Sequence, residues 1–229
     1  MKKKNYSFII VAGLVLLSPN IYAQWQTLNL SVEQNLLQSF VTNKDKLYIG
    51  VNSVGIFISK DDGLSWQLSN EGIAIKNNAY ITSIVLCEDK MYVAVNTNSD
   101  GNIYESSDEG VSWRISEEGL NTKGIINKLF TDGNCVYASV NDGLYMKKNR
   151  TMQWEKTTFP VEKVNREVLN IVRIAEMLFV STTRDGIYLS PDNGINWIKK
   201  ENKNLPQNDG YITSLNHLST NGNTIVAGT

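Results

Sequence analysis

Apolar and polar positions alternate in short runs along this chain, and the runs recur. Four segments read LYIGV (47–51), MYVAV (91–95), VYASV (136–140) and LFVST (178–182). Four more follow them: GIFIS (55–59), NIYES (102–106), GLYMK (143–147) and GIYLS (186–190). They are short, rich in β-branched and aromatic residues, and bounded by Gly, Asn and Asp, which predicts strands. A third set precedes the pairs, as in ITSIVLC (81–87), INKLFTD (126–132) and LNIVRIA (169–175). A fourth begins at tryptophan, as in SWQLS and SWRIS. No stretch of ten or more residues carries the 3.6-residue period of a helix.

The tryptophans set the repeat length. Trp25, Trp66, Trp113, Trp154 and Trp197 are separated by 41, 47, 41 and 43 residues. A period of about 40 to 50 residues is that of a four-stranded propeller blade. Each unit then holds four antiparallel strands joined by short links. Asp-Gly at 100–101, 142–143 and 185–186 marks the turn between the second and third strands, where positive φ favours glycine. The prediction is an all-β propeller over 24–229, with units near 37–70, 81–117, 126–158, 168–200 and 211–229. About 4.5 blades are covered, read as a fragment of a six- to eight-bladed ring.

The turn before each tryptophan carries a motif. SKDDGLSW ends at Trp66, SSDEGVSW at Trp113 and SPDNGINW at Trp197, all S-x-D-x-G-x-[S/N]-W. The third copy, KKNRTMQW, has Asn149 in place of Asp and Thr151 in place of Gly. These residues resemble the Asp-box, or bacterial neuraminidase repeat, of sialidases, sortilin-type receptors, some xyloglucan hydrolases and photosystem II assembly propellers. The resemblance covers the chain after residue 24 and points to the repeat, not to one of those families. Chemically, Asp61, Asp108 and Asp192 are expected to accept backbone N–H bonds two residues on. Ser59, Ser106 and Ser190 do so more weakly. Gly63, Gly110 and Gly194 supply positive φ, and Trp66, Trp113 and Trp197 bury aromatic surface between blades. The resemblance places this turn on the rim away from the ligand face, so these twelve residues read as structural. One carboxylate per turn falls short of a calcium shell.

The ends of the repeat look unlike its middle. Lys2, Lys3 and Lys4 precede the apolar stretch Phe8 to Leu17, and Ile21-Tyr22-Ala23 offers a cleavage point before Gln24. Residues 1–23 therefore read as a signal peptide of a bacterial exported protein, too short in its apolar run to span a bilayer. QWQTLNL (24–30) then stands as an orphan outer strand. YITSLNHL (211–218) and TIVAG (224–228) read as the first two strands of a fifth unit; YITS at 80–83 recurs at 211–214.

Charge and composition narrow the chemistry. Removing Lys2, Lys3 and Lys4 from 22 basic residues against 23 acidic leaves a formal charge of −4. That balance argues against nucleic acid, and no second hydrophobic span follows Gln24. His217 is the single histidine, which excludes a histidine metal cluster or a Ser–His triad. No phosphate-binding glycine loop occurs, and no cofactor is implied. Arg114, Arg150, Arg166, Arg173 and Arg184 are the arginines, none followed by Ile-Pro as a sialidase resemblance would ask. Glycoside hydrolysis needs two opposed carboxylates. Asp100, Asp142, Asp185 and Asp209 face the expected ligand side, but each precedes glycine and reads as a turn residue. Glu71, Glu117 and Glu118 read as solvated. Tyr80 and Tyr211, in the Asn- and Gly-rich loops KNNAY and QNDGY, suit contacts to a sugar or peptide. Cys87 and Cys135 fall on one rim of neighbouring blades, as a disulfide or as two buried thiols. The reading is a binding or assembly module for a glycan or protein partner, with a glycoside hydrolase as the alternative.

Overall fold

In a computed structural model, the structure describes residues 8–10, 26–28, 37–76, 78–120, 124–148, 151, 153–160, 167–201, 205–208, 211–212 and 214–228. Four antiparallel four-stranded sheets follow in chain order. Blade 1 is Leu37–Asn43, Lys46–Val51, Gly55–Ser59 and Gln67–Leu68. Blade 2 is Tyr80–Cys87, Lys90–Asn96, Gly101–Ser106 and Arg114–Ile115. Blade 3 is Ile126–Thr131, Cys135–Val140, Gly143–Lys148 and Glu155–Lys156. Blade 4 is Val168–Ile174, Met177–Thr182, Ile187–Ser190 and Ile198–Lys199. The expected all-β propeller architecture is what the chain adopts.

Two elements differ from expectation. The fifth unit's first strand is broken: Tyr211–Ile212 pairs back on Gln207–Asn208, while His217–Thr220 pairs with Ile225–Gly228. The hairpin runs through the Asn221-Gly222-Asn223 turn, so its first strand ends two residues later than 218. Gln26–Leu28, from the orphan outer strand, pairs with Phe8–Ile10. Trp25 and the cleavage point lie outside the described residues.

The core lies between blades, not within them. Tyr48, Ile56 and Ile58 of blade 1 pack against Ile81, Ile84, Val93 and Trp113 of blade 2. Blades 2 and 3 meet through Tyr92, Ala94, Ile103, Val136, Tyr145 and Trp154, and blades 3 and 4 through Tyr137, Leu144, Ile171 and Val180. Second strands such as Lys90–Asn96 are therefore near-continuous apolar runs, buried on both faces. The two-residue fourth strands are exposed throughout.

First strands of successive blades lie against one another, which puts them around the axis. Their unpaired inner edges would be a liability, and side chains of the preceding blade satisfy them. Ser39 Oγ accepts from Ile84 N and Ser83 Oγ from Leu129 N, both at 2.8 Å. Asn96 Oδ1 accepts from Ile126 N at 3.0 Å while its Nδ2 donates to Ile126 O at 2.8 Å. Asn52 Oδ1 does the same for Ile81 N at 3.1 Å.

Candidate functional site

Antiparallel order gives the blades two faces. One carries the first-to-second hairpins and the eight-residue turns that end at tryptophan. The other, the loop face, carries the second-to-third turns and the loops between blades.

The eight-residue turn is built identically three times. Ser59 Oγ accepts from Gly63 N at 2.8 Å and donates to Asp61 Oδ1 at 2.8 Å. Asp61 Oδ1 also accepts from Ser65 N at 2.8 Å, and Asp61 Oδ2 from Ser65 Oγ at 2.5 Å. Ser106, Asp108 and Ser112 repeat this, as do Ser190, Asp192 and Asn196. The aspartate thus reaches four residues on, not two as expected, because the loop is wider than an ordinary Asx-turn. That reach explains why Ser or Asn precedes the tryptophan in the three intact copies, at Ser65, Ser112 and Asn196. Gly63, Gly110 and Gly194 have φ of 88°, 81° and 87°. Hydrogen bonds from Ser65 lower the Asp61 pKa, and those from Asn196 lower that of Asp192. For Asp108, partial burial works to raise the pKa, but bonds from Ser112, Ser106 and Val111 prevail and hold it at about 2.

The tryptophans fall into two settings. Trp113 and Trp154 are buried and donate Nε1 to the preceding blade, to Ser69 O at 3.1 Å and Ser116 O at 2.8 Å. Trp66 and Trp197 are half-buried and donate to their own turns, at Gly63 O and Gly194 O. The interblade packing expected of the motif tryptophans is complete for Trp113 and partial for Trp197, which packs edge-on to Phe159 in the cluster between blades 3 and 4. Sequence reasoning missed the receiving motif, W-x-x-S-x-E-G, at Trp66-Ser69-Glu71-Gly72 and Trp113-Ser116-Glu118-Gly119. Glu71 O and Glu118 O accept Trp113 N and Trp154 N at 2.9 and 2.7 Å. A Cβ on Gly72 would lie 1.9 Å from Trp113 O, so only glycine fits under the next blade's tryptophan.

The degenerate turn has its own solution. Seven residues before Trp154, where the other copies have serine, stands Lys147. Its ammonium is buried, 3.0 Å from Glu105 Oε2 of blade 2 and 2.6 Å from Ser116 Oγ. It also lies 5.8 Å from the Trp154 ring centroid. Glu105 sits where the equivalent positions are Ile58, Met146 and Leu189. Its other oxygen accepts from Arg114 Nε at 2.8 Å. Burial works to raise the Glu105 pKa, yet the bonds from Lys147 and Arg114 bring it below the ordinary value. Asn149 lies outside the described residues.

On the loop face the three candidate aspartates among the described residues each accept hydrogen bonds, while Asp142 Oδ1 is buried without a partner. Asp100 Oδ1 accepts from Gly101 N at 3.0 Å and its carbonyl from Thr97 N at 2.7 Å. Gly101 does not take the expected positive φ. It is kept small by crowding, since a Cβ would lie 2.1 Å from Asn96 Oδ1. Asp142 Oδ2 accepts from Tyr145 OH at 3.1 Å and Lys156 Nζ at 3.0 Å. One blade on, Asp185 accepts from Tyr188 OH and from Lys199 Nζ. Tyr80 opens the first strand of blade 2, half-buried, and Tyr211 opens a short strand after the last interblade loop. Asp209 lies outside the described residues. Glu71 and Glu118 are exposed, whereas Glu117 is half-buried.

Among the described residues, Arg114 and Arg173 do not converge. Arg114 is held by Glu105, and Arg173 by Asp132 and Asn193 at the opposite face of blade 4. Arg150 and Arg166 lie outside the described residues. His217 is exposed. Cys87 and Cys135 are buried free thiols, so the structure holds the second of the two alternatives. Cys87 Sγ donates to Gly133 O at 3.5 Å, in the turn that leads to Cys135. Burial raises both pKa values, that of Cys135 to about 11. Among the described residues no three His, Cys, Asp or Glu side chains are grouped to hold a metal, and no helix is long and apolar enough to cross a membrane.

Comparisons with known proteins agree on the scaffold. The family model described as DUF6242 beta propeller domain matches residues 74–229. No curated protein matches by sequence. Among solved structures, YCF48 bound to D1 peptide is 18% identical, with a TM-score of 0.54 over 76% of this chain and 57% of that one. The GH74 xyloglucanase from Xanthomonas campestris is 17% identical, with a TM-score of 0.57 over 77% of this chain and 32% of that one. The extracellular domain of BT4673 from B. thetaiotaomicron is 15% identical, with a TM-score of 0.63 over 90% of this chain and 28% of that one. This chain therefore spans less than two thirds of each of these structures, and identities this low show the fold alone.

Proposed function

The chain belongs to the DUF6242 beta propeller domain family, and on that scaffold we propose an exported, non-catalytic binding or assembly module of Asp-box type. Its loop face takes a glycan or protein partner. One observation carries this reading: Asp100, Asp142 and Asp185 are each spent on a turn or on a Tyr–Lys pair. Hydrolysis of a glycoside asks for two opposed carboxylates free to donate and accept protons. Carboxylates fixed by tyrosine and lysine instead stiffen the loops, as a preorganised binding face requires. The solved neighbours include both a peptide-bound protein and a xyloglucanase, so fold alone does not decide. The signal-like residues 1–23 support export.

The test uses the full chain on glycan and peptide arrays, beside a panel of fluorogenic glycosides. Saturable binding that weakens in Tyr80→Ala and survives in Asp108→Ala is expected, with no turnover. Turnover of any glycoside would overturn the reading in favour of the hydrolase.

A further inference from the structure

The first-to-second strand ladders slip at one level in every blade. The break falls between Leu37 and Ser39, Ile81 and Ser83, Ile126 and Lys128, and Val168 and Asn170. A bulge bends its strand and re-aims the side chains beside it, and bulges recur next to ligand sites. Here they lie at the start of the axial strands, at the mouth of the loop face. The bulged residues are Gln38, Thr82, Asn127 and Leu169; the residues after them are Ser39, Ser83, Lys128 and Asn170.

Blades 1 and 2 use the second of these positions to close the next blade's edge, through serine oxygens that accept N–H. Blade 3 meets the next edge with the opposite polarity, because an ammonium only donates. Lys128 Nζ bonds Leu169 O at 3.3 Å and lies 5.3 Å from the Phe130 ring centroid. It is half-buried, and among the described residues no carboxylate pairs with it. Lys156 and Lys199, on the outer strands, are by contrast matched to Asp142 and Asp185. Burial alone depresses the Lys128 pKa. A partly desolvated cation facing a carbonyl and a ring lacks a counter-charge.

Resting on the reading of the loop face as a binding surface, we propose that its axial mouth is a site for a carboxylate-bearing saccharide, with Lys128 as the cation that receives the carboxylate. Of the eight bulge-level positions, Ser39, Ser83 and Thr82 are bonded to the next blade's backbone and Leu169 is apolar, which leaves one cation, Lys128, with the amides of Gln38, Asn127 and Asn170. One charge amid hydrogen-bonding groups fits a compact, hydroxyl-dense monoanion. An acidic polypeptide spreads its charges by about 3.3 Å per residue and would ask for several unpaired cations at this level.

Calorimetric titration of the full chain with glucuronate tests the site, with glucose and a tetraglutamate peptide as the other arms. Glucuronate binding is expected, with glucose weaker. Lys128→Ser, which restores the residue of blades 1 and 2, should weaken glucuronate by about ten- to a hundredfold, the range of a charge-assisted hydrogen bond. Lys128→Arg should retain it. In the unaltered protein the Lys128 ε-carbon NMR signal should move on titration, a readout independent of how the variants fold. Absence of glucuronate binding, equal binding by Lys128→Ser, an unmoved signal, or tighter Lys128-dependent binding of tetraglutamate would each overturn the proposal. Array binding that needs Tyr80 but ignores Lys128 would reject the axial site and leave the loop-face reading standing.

Discussion

Lys147→Met isolates the most unusual interaction of this scaffold. The substitution removes the ammonium that pairs with Glu105 Oε2 and leaves a side chain of similar length between Tyr92 and Trp154. Glu105 is 4% exposed, so the orphaned carboxylate stays out of water. Removing one partner of a buried pair costs about 3–5 kcal/mol. Arg114 and Ser116 still bond Glu105, which places the loss near 3 kcal/mol, at the low end of that range. For a domain of this size 1 kcal/mol moves Tm by about 2–4 °C, so a fall of about 6–12 °C is expected in thermal denaturation followed by circular dichroism. Adding Glu105→Leu, which copies Leu189 of blade 4, should recover most of it, since an apolar pair replaces an ionic one at little cost. A single variant as stable as the parent, or a double variant less stable than the single, would refute the reasoning.

Three further outcomes are expected. Asp108→Ala removes the side chain that ties Ser106 to Ser112, and should cost about 1–2 kcal/mol, as loss of a side-chain cap does; an unchanged Tm would contradict it. Acid should destabilise the blades: Glu105, Asp61 and Asp192 are lowered, and Asp108 and Glu109 are held at about 2. Depressed folded-state values contribute stability that is complete above the unfolded carboxylate range and is lost as pH falls through the folded values. The denaturation midpoint should therefore drop between about pH 5 and pH 2, and a midpoint that rises on acidification would be the opposite sign. Cys87 and Cys135, buried with raised pKa values, should resist alkylation at pH 8 in the native protein and give two labelled thiols once unfolded. Rapid native labelling, or a bridge seen by non-reducing mass analysis, would contradict this.

The blades were legible because their signals are local. Strands such as MYVAV and turns such as SSDEGVSW announce themselves within eight residues, and the tryptophan spacing supplies the repeat. The interblade joints were not, because each is split across about 40 residues of sequence. Ser69 and Gly72 look like an ordinary polar loop until Trp113 of the next blade is seen to sit on them. Lys147 looked like decay of a motif, and its meaning depends on Glu105, 42 residues earlier. The roles of Asp142 and Asp185 were half visible: the Asp-Gly turn can be read, but the Tyr and Lys partners three and 14 residues on require the strand pairing. Lys128 gave no signal at all, since its strangeness lies in standing where blades 1 and 2 have serine.

Hydrogen–deuterium exchange of the full chain, with and without the strongest array ligand, tests the central claim most directly. Protection is expected in the second-to-third turns at 97–101, 141–142 and 183–186 and around Tyr80, with the turns at 59–66, 106–113 and 190–197 unchanged. Protection confined to those three turns, with the loop face unaltered, would contradict it.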